Sequence, residues 1–267
     1  MSEKNILLTA LDVRWRKLRK ESNRTRRKYS EDAVHDLRVA SRRLIAVLET
    51  LRETHDASAI QDCRKRVKKL LDGLSPLRDL HVQHMRVSSM MDRYPQLKDF
   101  EKNLGHKENQ TAEKVQKLLK QASKLDRAVV QARRQAKNDV GADAILRAID
   151  KRYRKVLALA DRIDPSDTTT IHKMRLAFKK FRYTCEVAQP IIKKEIDDQR
   201  LEEFHAFQTM MGDIQDIEIL SARLSKWAEK GKHEEELKPV FQELESERRK
   251  RIDTFMSSAP RVREFWK

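Results

Sequence analysis

Apolar residues recur along this chain with the spacing of amphipathic α-helices. On a helical wheel, residues 33–51 gather one apolar set that consists of Leu37, Leu44, Val47, Leu48 and Leu51. A second stretch gathers a similar set that consists of Met174, Phe178, Phe181 and Cys185. No segment alternates convincingly between apolar and polar residues. The pattern therefore predicts an all-α fold of packed antiparallel helical bundles.

Breaks in the helical pattern set the predicted boundaries near the N-terminus. A first helix is expected over about Glu3–Arg27, because Tyr29 and Ser30 interrupt the pattern that follows it. Ser30 is expected to cap a second helix that runs to about Glu53, with "THDAS" at 54–58 as the next turn.

Glycine and proline predict the later breaks of the first half. The third helix is expected to be interrupted by "DGLSP" at 72–76, with a fourth helix beginning near Pro76, a residue that suits a first helical position. "RYPQ" at 93–96 is expected to bend or end that helix. A long charged helix is then expected over about Glu108–Lys137.

The second half shows a comparable series of breaks. "DPSDTTT" at 164–170 is expected to separate two helices, and Pro190 is expected to end or kink the second of them. "EKGKHEEELKP" at 229–239 is expected to form a late connection.

Three segments of the first half match three segments of the second half. The pairs are "VHDLRVASRRL" at 34–44 with "IHKMRLAFKKF" at 171–181, "LSPLRDLHV" at 74–82 with "MGDIQDIEI" at 211–219, and "ALDVRWRK" at 10–17 with "AIDKRYRK" at 148–155. The offset is 137 residues for two pairs and 138 for the third. Basic helices resemble one another by composition, but this does not explain a near-constant offset. We therefore predict a duplicated helical unit with halves at 1–137 and 138–267.

The charge of the chain narrows the class of its partners. Its 267 residues carry a net charge of +17, and residues 1–137 hold 33 Lys and Arg against 18 Asp and Glu. Residues 138–267 hold 26 Lys and Arg against 24 Asp and Glu. Such a field favours nucleic acid, an anionic membrane or a phosphate polymer. No apolar run reaches the length of a membrane span and no secretory signal is visible, so we expect a cytoplasmic protein without a membrane partner.

The first matched pair of segments carries a basic face on each copy. His35, Arg38 and Arg42 share the polar side of one helix, and His172, Arg175 and Lys179 share that of the other. In each copy the second and third of these residues lie three and seven positions after the histidine. The three side chains therefore form a row about 10 Å long, which suits a linear polyanion. Arginine offers fork-like donors to phosphate oxygens, and lysine offers a point charge.

Neighbouring residues modify this basic row. Arg43, Lys180 and Arg182 are expected to flank and widen it, whereas Glu49 and Glu186 are expected to orient basic residues rather than to bind a ligand.

The histidines and arginines of the two basic faces could also have purely structural roles. A lone histidine is more often a structural group, and the arginines could pair with carboxylates at bundle contacts, but the two copies favour a binding role. Asp79 and Asp216 are expected to cap helices or to buttress arginines. No metal site or disulfide is expected, because Cys63 and Cys185 form no spaced cluster and Asp79 and Asp216 lack neighbouring ligands.

The two motifs, each followed by an "LRDL"- or "IQDI"-type segment, resemble the CHAD family, the conserved histidine α-helical domain. The resemblance covers nearly the whole chain and includes both half-motifs. It implies two helical bundles that are related by a pseudo-two-fold axis and meet around a basic groove or pore. It also implies binding of inorganic polyphosphate, and for some members location at polyphosphate granules.

The resemblance carries binding roles over to matching positions of this sequence. They are His35, Arg38, Arg42, Arg43, Arg78, His172, Arg175, Lys179, Lys180 and Arg182. Gln215 departs from the pattern, because the second copy lacks the cation that Arg78 supplies in the first. Many relatives carry a triphosphate-processing CYTH domain as well. None is visible here, so a stand-alone CHAD module is expected.

Three functions follow from the sequence as hypotheses. The leading one is a non-catalytic, cofactor-free module that binds inorganic polyphosphate. Single-stranded nucleic acid is a second ligand, although aromatic residues, which base stacking needs, make up only 6% of the chain. A phosphohydrolase is a third hypothesis, and it lacks a visible P-loop or carboxylate cluster. The sequence leaves the protein partner and the oligomeric state open.

Overall fold

A computed structural model describes residues 6–54, 57–120, 125–136, 142–231 and 233–266. Within these ranges the chain is almost entirely helical, and the only β-type pairing is an isolated bridge between Asp164 and Asp167. The helices are α1 Ile6–Arg27, α2 Glu31–Thr54, α3 Ser58–Met90, α4 Lys98–Lys120, α5 Leu125–Gln135, α6 Ala142–Ala160, α7 Thr168–Ile192, α8 Asp198–Gly231 and α9 Glu234–Ser258. The all-α prediction is confirmed.

The start of α2 follows the prediction closely. The Ser30 hydroxyl accepts a hydrogen bond from the backbone amide of Ala33 at 3.2 Å, which satisfies a free donor of the first turn. Glu31 and Asp32 lie in that turn, where the positive end of the helix dipole favours carboxylates. The predicted turn at 54–58 falls partly outside the described residues.

The predicted break at 72–76 is wrong, because α3 continues through it. Pro76 lies inside the helix, flanked by the buried side chains of Leu74 and Leu77, and this burial outweighs its missing backbone donor. Gly73 serves close packing rather than a turn. A Cβ atom at this position would clash with Cδ2 of Leu118 on α4. No new helix begins at Pro76.

The next connection was predicted in part. "RYPQ" ends α3, and Pro95 opens a single 3-10 turn before α4. The charged helix was expected from Glu108, but α4 begins ten residues earlier at Lys98, because the buried Phe100 and Leu104 extend its apolar stripe. The chain then continues as α5, and residues 121–124 and 137 lie outside the described residues.

The second half keeps the predicted break between α6 and α7. The Asp167 side chain caps α7 by accepting a hydrogen bond from the Thr169 amide at 3.0 Å. Two residues after Pro190, α7 ends, as expected. The late connection is shorter than predicted, because α8 reaches Gly231 and α9 begins at Glu234.

Packing runs in the same order in both halves. α1 packs on α2, α2 on α3 and α3 on α4, and α6–α9 pack in the corresponding sequence. α2 also packs against α7, and α3 against α8, so the four helices that carry the first two pairs of matched segments meet. Both clusters of buried apolar residues draw on both halves. The duplication and the boundary at 137 remain predictions from the sequence.

Candidate anion-binding site

The predicted basic face of α2 lies where the wheel placed it. Leu37 and Leu44 are fully buried, while His35 is exposed and Arg42 is partly buried on the other side. Arg38 is buried, and its guanidinium group donates a hydrogen bond to the Ser75 hydroxyl on α3. Ser75 therefore fixes the direction of Arg38.

The corresponding face of α7 carries Arg175, Lys179 and Arg182. Its apolar side holds Phe178 and Phe181, which are fully buried. Arg182 is itself buried, and its Nε donates to Oε1 of Gln208 on α8 at 3.1 Å. The two basic faces thus rest on well-packed helices.

The two basic faces meet where α2 packs against α7. Burial and, to a smaller extent, the positive charges of nearby arginines from both helices together lower the pKa of the Lys179 amine to about 6. Those arginines are Arg42, Arg175, Arg38 and Arg182, in order of decreasing effect. We call Lys179 and these four residues the cation cluster. A helical wheel places cations on one face but does not predict this convergence.

The arginines of the cluster also affect one another. Burial and the charge of Arg42, against the opposing charge of Asp79, lower the pKa of Arg38 to about 10. Burial likewise lowers the pKa of Arg175, where Asp216 opposes the shift and Arg42 adds to it. Like charges have been brought together and partly removed from water, which is unfavourable unless an anion joins them.

Two carboxylates face the cluster without pairing with it. Asp79 lies inside α3 and Asp216 inside α8, so the alternative that they cap helices is wrong. Their charges act on Arg38 and Arg175, in agreement with a buttressing role. Within the described residues, neither forms an ion pair or a hydrogen bond. Burial raises the pKa of Asp216, and Asp213 and Asp79 raise it further.

Several donors of the site have no acceptor. Arg42 and Lys179 form no hydrogen bond or ion pair within the described parts of the chain. Nε of Arg175 and Nδ1 of His172 are buried without a hydrogen-bond partner. Arg175 lies over Gly212 of α8, where an added Cβ atom would be 3.6 Å from Nε. Unpaired donors beside unpaired charges are what an anionic ligand requires.

His35 and Arg78 lie at the edge of the cation cluster. The pKa of His35 is lowered by partial burial and then by the charge of Arg78, and Asp36 opposes the shift. Arg78 forms an ion pair with Glu31 at the start of α2. The His35 side chain keeps an exposed surface, and its lowered pKa favours the uncharged ring at neutral pH in the free protein.

Arg43 lies in a separate cleft beyond Arg182. Its Nε donates to Oε2 of Glu186 at 2.8 Å, and Nη1 of Arg182 lies 3.3 Å from Oε1 of the same carboxylate. We call this the Glu186 cleft; it measures about 460 Å³ and is also lined by Arg14 and His205. Glu186 orients basic residues, as predicted. Glu49 does the same, because it accepts two hydrogen bonds from Arg64 at 3.0 and 2.8 Å.

One predicted residue stays apart from the others. Lys180 is exposed, and no contact within the described residues links its side chain to the cation cluster. Its position on α7 is one residue, about 100° of helical rotation, from Lys179. It contributes to the surface charge instead.

Sequence reasoning missed three supporting residues, which are Ser75, Gln208 and Arg14. Ser75 and Arg14 lie within the matched segments at 74–82 and 10–17, so the repeat contained the signal that could have found them. Burial lowers the pKa of Arg14, and the charge of Arg43 lowers it further.

A second polar cluster joins α3 to α4 away from this site. The His84 ring bonds Glu108 through Nδ1 at 2.9 Å and Glu101 through Nε2 at 2.8 Å. Burial opposes a charge on this ring, but the two carboxylates more than offset burial, so the pKa of His84 is raised. His81 is buried beside it, 3.3 Å from Glu108. Across the described residues, no group of His, Cys, Asp and Glu has an arrangement suited to a metal ion.

None of the helices in the described parts of the chain combines the length and the apolarity of a membrane span.

The model of the CHAD domain family matches residues 9–225. The chain belongs to the CHAD family. The family's model thus covers the matched segments and the whole cation cluster.

Solved structures agree with this fold. The CHAD domain from the plant Ricinus communis is 16% identical with a TM-score of 0.76, and the match covers 95% of this chain and 90% of that one. PptA from Streptomyces chartreusis is 14% identical with a TM-score of 0.69, over 97% and 98% of the two chains. No curated protein sequence matches significantly. At these identities, the likeness shows the CHAD fold alone.

Proposed function

We propose that this CHAD domain binds inorganic polyphosphate at the cation cluster, without catalysis. The observation that carries the proposal is the convergence of four guanidinium groups on the Lys179 amine, with no ion-paired carboxylate at Arg42 or Lys179. Arg182 is paired with Glu186, but a purely structural role would also bring Arg42 and Lys179 to carboxylates, as Glu49 does for Arg64. The cluster therefore supports a ligand that supplies several negative charges.

The shape of the cluster favours a linear polymer of phosphate. The two cations that α2 contributes, Arg38 and Arg42, are four residues apart, which corresponds to about 6 Å along the helix. Arg175 and Lys179 continue the array on α7. Successive phosphates can each take a donor from one of the two helices, and the condensed counterions they release favour binding.

Nucleic acid fits the described surface less well. Single-stranded binding relies on aromatic side chains on which bases stack. All aromatic residues of the chain lie in the described ranges, and none is largely exposed. Tyr183, the aromatic residue beside the cluster, is buried, with the Arg182 guanidinium 4.5 Å from its ring centroid. The ring is therefore covered by Arg182 and by the core.

Competition between ligands tests this proposal. Fluorescent long-chain polyphosphate would be bound to the full chain and displaced with unlabelled polyphosphate or single-stranded DNA at equal phosphate concentration. We expect polyphosphate to displace the probe and DNA to displace it poorly. Equal displacement by DNA would contradict the proposal. Affinity should also fall steeply as salt increases, since each phosphate contact adds to the slope.

The proposal that binding occurs without catalysis is tested separately. Polyphosphate incubated with the protein and Mg²⁺ should keep its chain length, without steady release of phosphate. Sustained release that is lost in His35→Ala would instead make His35 a phosphoryl acceptor. The proposal extends to location: a fluorescent fusion should collect at cytoplasmic polyphosphate granules, and a diffuse signal in granule-containing cells would contradict that extension.

A further inference from the structure

The Glu186 cleft contains more positive charge than its buried carboxylate neutralises. Nε of Arg43 lies 2.8 Å from Oε2 of Glu186, and Nη1 of Arg182 lies 3.3 Å from Oε1 of the same group. One nearly buried carboxylate thus holds two guanidinium groups in place. Arg14 adds a third guanidinium group to the lining of the cleft. Three cations therefore surround one buried carboxylate, which leaves two positive charges over.

Arg14 lacks a partner among the described residues. Its side chain is partly buried in the lining of the cleft, and no hydrogen bond or ion pair joins it to the described part of the chain. Burial and the charge of Arg43 lower its pKa, while the charge of Glu186 opposes that shift. A cation that is partly removed from water beside a second cation is unfavourable unless an anion joins them.

The matched segments of the sequence explain why Arg14 has no carboxylate. By the offset of 138 residues in its own segment, Arg14 corresponds to Arg152, whose Nη2 lies 3.0 Å from Oε1 of Glu53 on α2. By the offset of 137 residues that relates the segments of α2 and α7, Glu53 corresponds to Pro190. The carboxylate that neutralises Arg152 therefore has no counterpart beside Arg14.

The size and the walls of the cleft indicate what kind of anion fits. Its volume of about 460 Å³ lies within the range of pockets that bind small organic molecules. Leu201 and Ala206 supply apolar surface, and the exposed His205 also lines the cleft. A bare phosphate ion would leave most of this space and the apolar surface uncovered. A fitting ligand therefore carries an organic part next to its anionic group.

The balance of charge favours a phosphate monoester over a polymer. A monoester carries about two negative charges at neutral pH, and these match the two charges that the three arginines leave over. A polymer would continue past the arginines and meet the carboxylate of Glu202, which is exposed and lines the same cleft. Like charges repel, so the cleft disfavours a ligand that is charged along its whole length.

We propose that the Glu186 cleft binds a small organic phosphate monoester through Arg14 and Arg43. Among the described residues Arg43 bonds only Glu186, through Nε, so its two terminal nitrogens can donate to phosphate oxygens together with Arg14. Arg182 belongs to both this cleft and the cation cluster, but its contacts with Glu186 and Gln208 fix its guanidinium group. The inference does not depend on polyphosphate binding.

Calorimetric titration of the full chain with phenyl phosphate tests the proposal. We expect saturable binding at a single site. Inorganic phosphate should compete more weakly than phenyl phosphate does, because it lacks the organic part, and phenol should not compete, because it lacks the anionic group. Absence of saturable binding, or equal affinity for inorganic phosphate, would overturn the proposal.

Variants of the cleft locate the binding. Arg14→Gln should weaken phenyl phosphate binding about tenfold through the loss of one charge-assisted contact, whereas Arg16→Gln, which removes an exposed charge from the same helix, should not. Glu202→Gln changes an exposed residue and should tighten binding about twofold, so it keeps the test valid if Arg14→Gln does not fold. Equal affinities for the two arginine variants, or weaker binding in Glu202→Gln, would contradict a site in this cleft.

Polyphosphate distinguishes this proposal from the proposed function. Phenyl phosphate should bind nearly as well in the presence of saturating polyphosphate, and nearly as well to Arg42→Gln/Arg175→Gln, in which the cation cluster is changed. Displacement by polyphosphate, or loss of phenyl phosphate binding in that variant, would show one continuous polyanion path and would overturn the separate site. Phenyl phosphate binding in the cleft without any polyphosphate binding would refute the proposed function alone.

Discussion

Arg42 on α2 and Lys179 on α7 lie close together where the two helices pack, and no carboxylate of the described residues is ion-paired with either. Burial and the charge of Arg42 are the two largest causes that lower the pKa of Lys179 to about 6. The site therefore holds a lysine that is uncharged until an anion arrives. Binding of a polyanion raises that pKa and draws a proton into the site.

Polyphosphate affinity should consequently rise as the pH falls from about 8 to about 6. Between these pH values the complex holds more protons than the free protein. The affinity therefore rises as the pH falls, by at most about tenfold per pH unit when one proton is taken up. Calorimetry in two buffers of different ionisation enthalpy measures the uptake. In Lys179→Arg, whose guanidinium stays charged, the slope should shrink to the part that His35 contributes. An unchanged slope would contradict the role of Lys179.

The comparison of Arg42 with Arg43 illustrates how far the sequence could predict the site. Both were assigned to one basic array, and the wheel correctly placed Arg42 beside His35 and Arg38, since that relation depends only on local geometry. Arg43 lies one residue on, about 100° around the helix, and faces the Glu186 cleft. Which neighbour covers each face depends on tertiary packing that a wheel does not contain.

The helix boundaries that were predicted wrongly also depend on tertiary packing. Glycine and proline commonly break helices, yet α3 continues through Gly73 and Pro76. The Leu118 side chain occupies the space that a Cβ atom at Gly73 would take, and the leucines that flank Pro76 are buried. In contrast, the break before α2 was predicted correctly, because the hydrogen bond from the Ala33 amide to Ser30 is local. From the pattern alone Lys179 was expected to carry a positive charge, whereas burial between helices and the nearby arginines lower its pKa to about 6.

Glu186→Gln should destabilise the protein without weakening polyphosphate binding. The Glu186 carboxylate is nearly buried and holds Arg43 and Arg182, so its loss should reduce the free energy of unfolding by about 2 kcal/mol. Affinity should stay the same or rise, because a negative charge beside the site is removed. Urea denaturation and polyphosphate titration measure the two effects. Glu202→Gln, an exposed residue of the same cleft, is the matched control. Weaker binding with unchanged stability would instead make Glu186 a contributor to the ligand site.

Gly212→Ala should stabilise the protein and preserve the site. The added Cβ atom meets Arg175 at 3.6 Å, an ordinary contact, and alanine is the better helix former by about 1 kcal/mol. Thermal unfolding should therefore shift to a higher temperature, with polyphosphate affinity unchanged. A lower unfolding temperature together with weaker binding would show that Arg175 needs the full space over Gly212.

His84 should stabilise the contact between α3 and α4 in a pH-dependent way. Its folded-state pKa is raised, because its bonds to Glu108 and Glu101 more than offset burial. The stabilisation is fully present below the unfolded pKa of about 6.5 and is lost as the pH rises through the folded value. His84→Ala should thus lower stability by about 1 kcal/mol more at low pH than at high pH. The exposed His106→Ala serves as control, and a loss for His84→Ala that is independent of pH would contradict this account.

The cation cluster, and not the overall charge of the chain, is expected to bind polyphosphate. The dissociation constant for long-chain polyphosphate should be measured for the wild type, for Arg42→Gln/Arg175→Gln and for Lys65→Gln/Lys69→Gln, two variants with the same change in net charge. The cluster variant should lose about 100-fold in affinity, the equivalent of two charge-assisted contacts, while the lysine control stays near wild type. Equal affinities for the two double variants would contradict the claim.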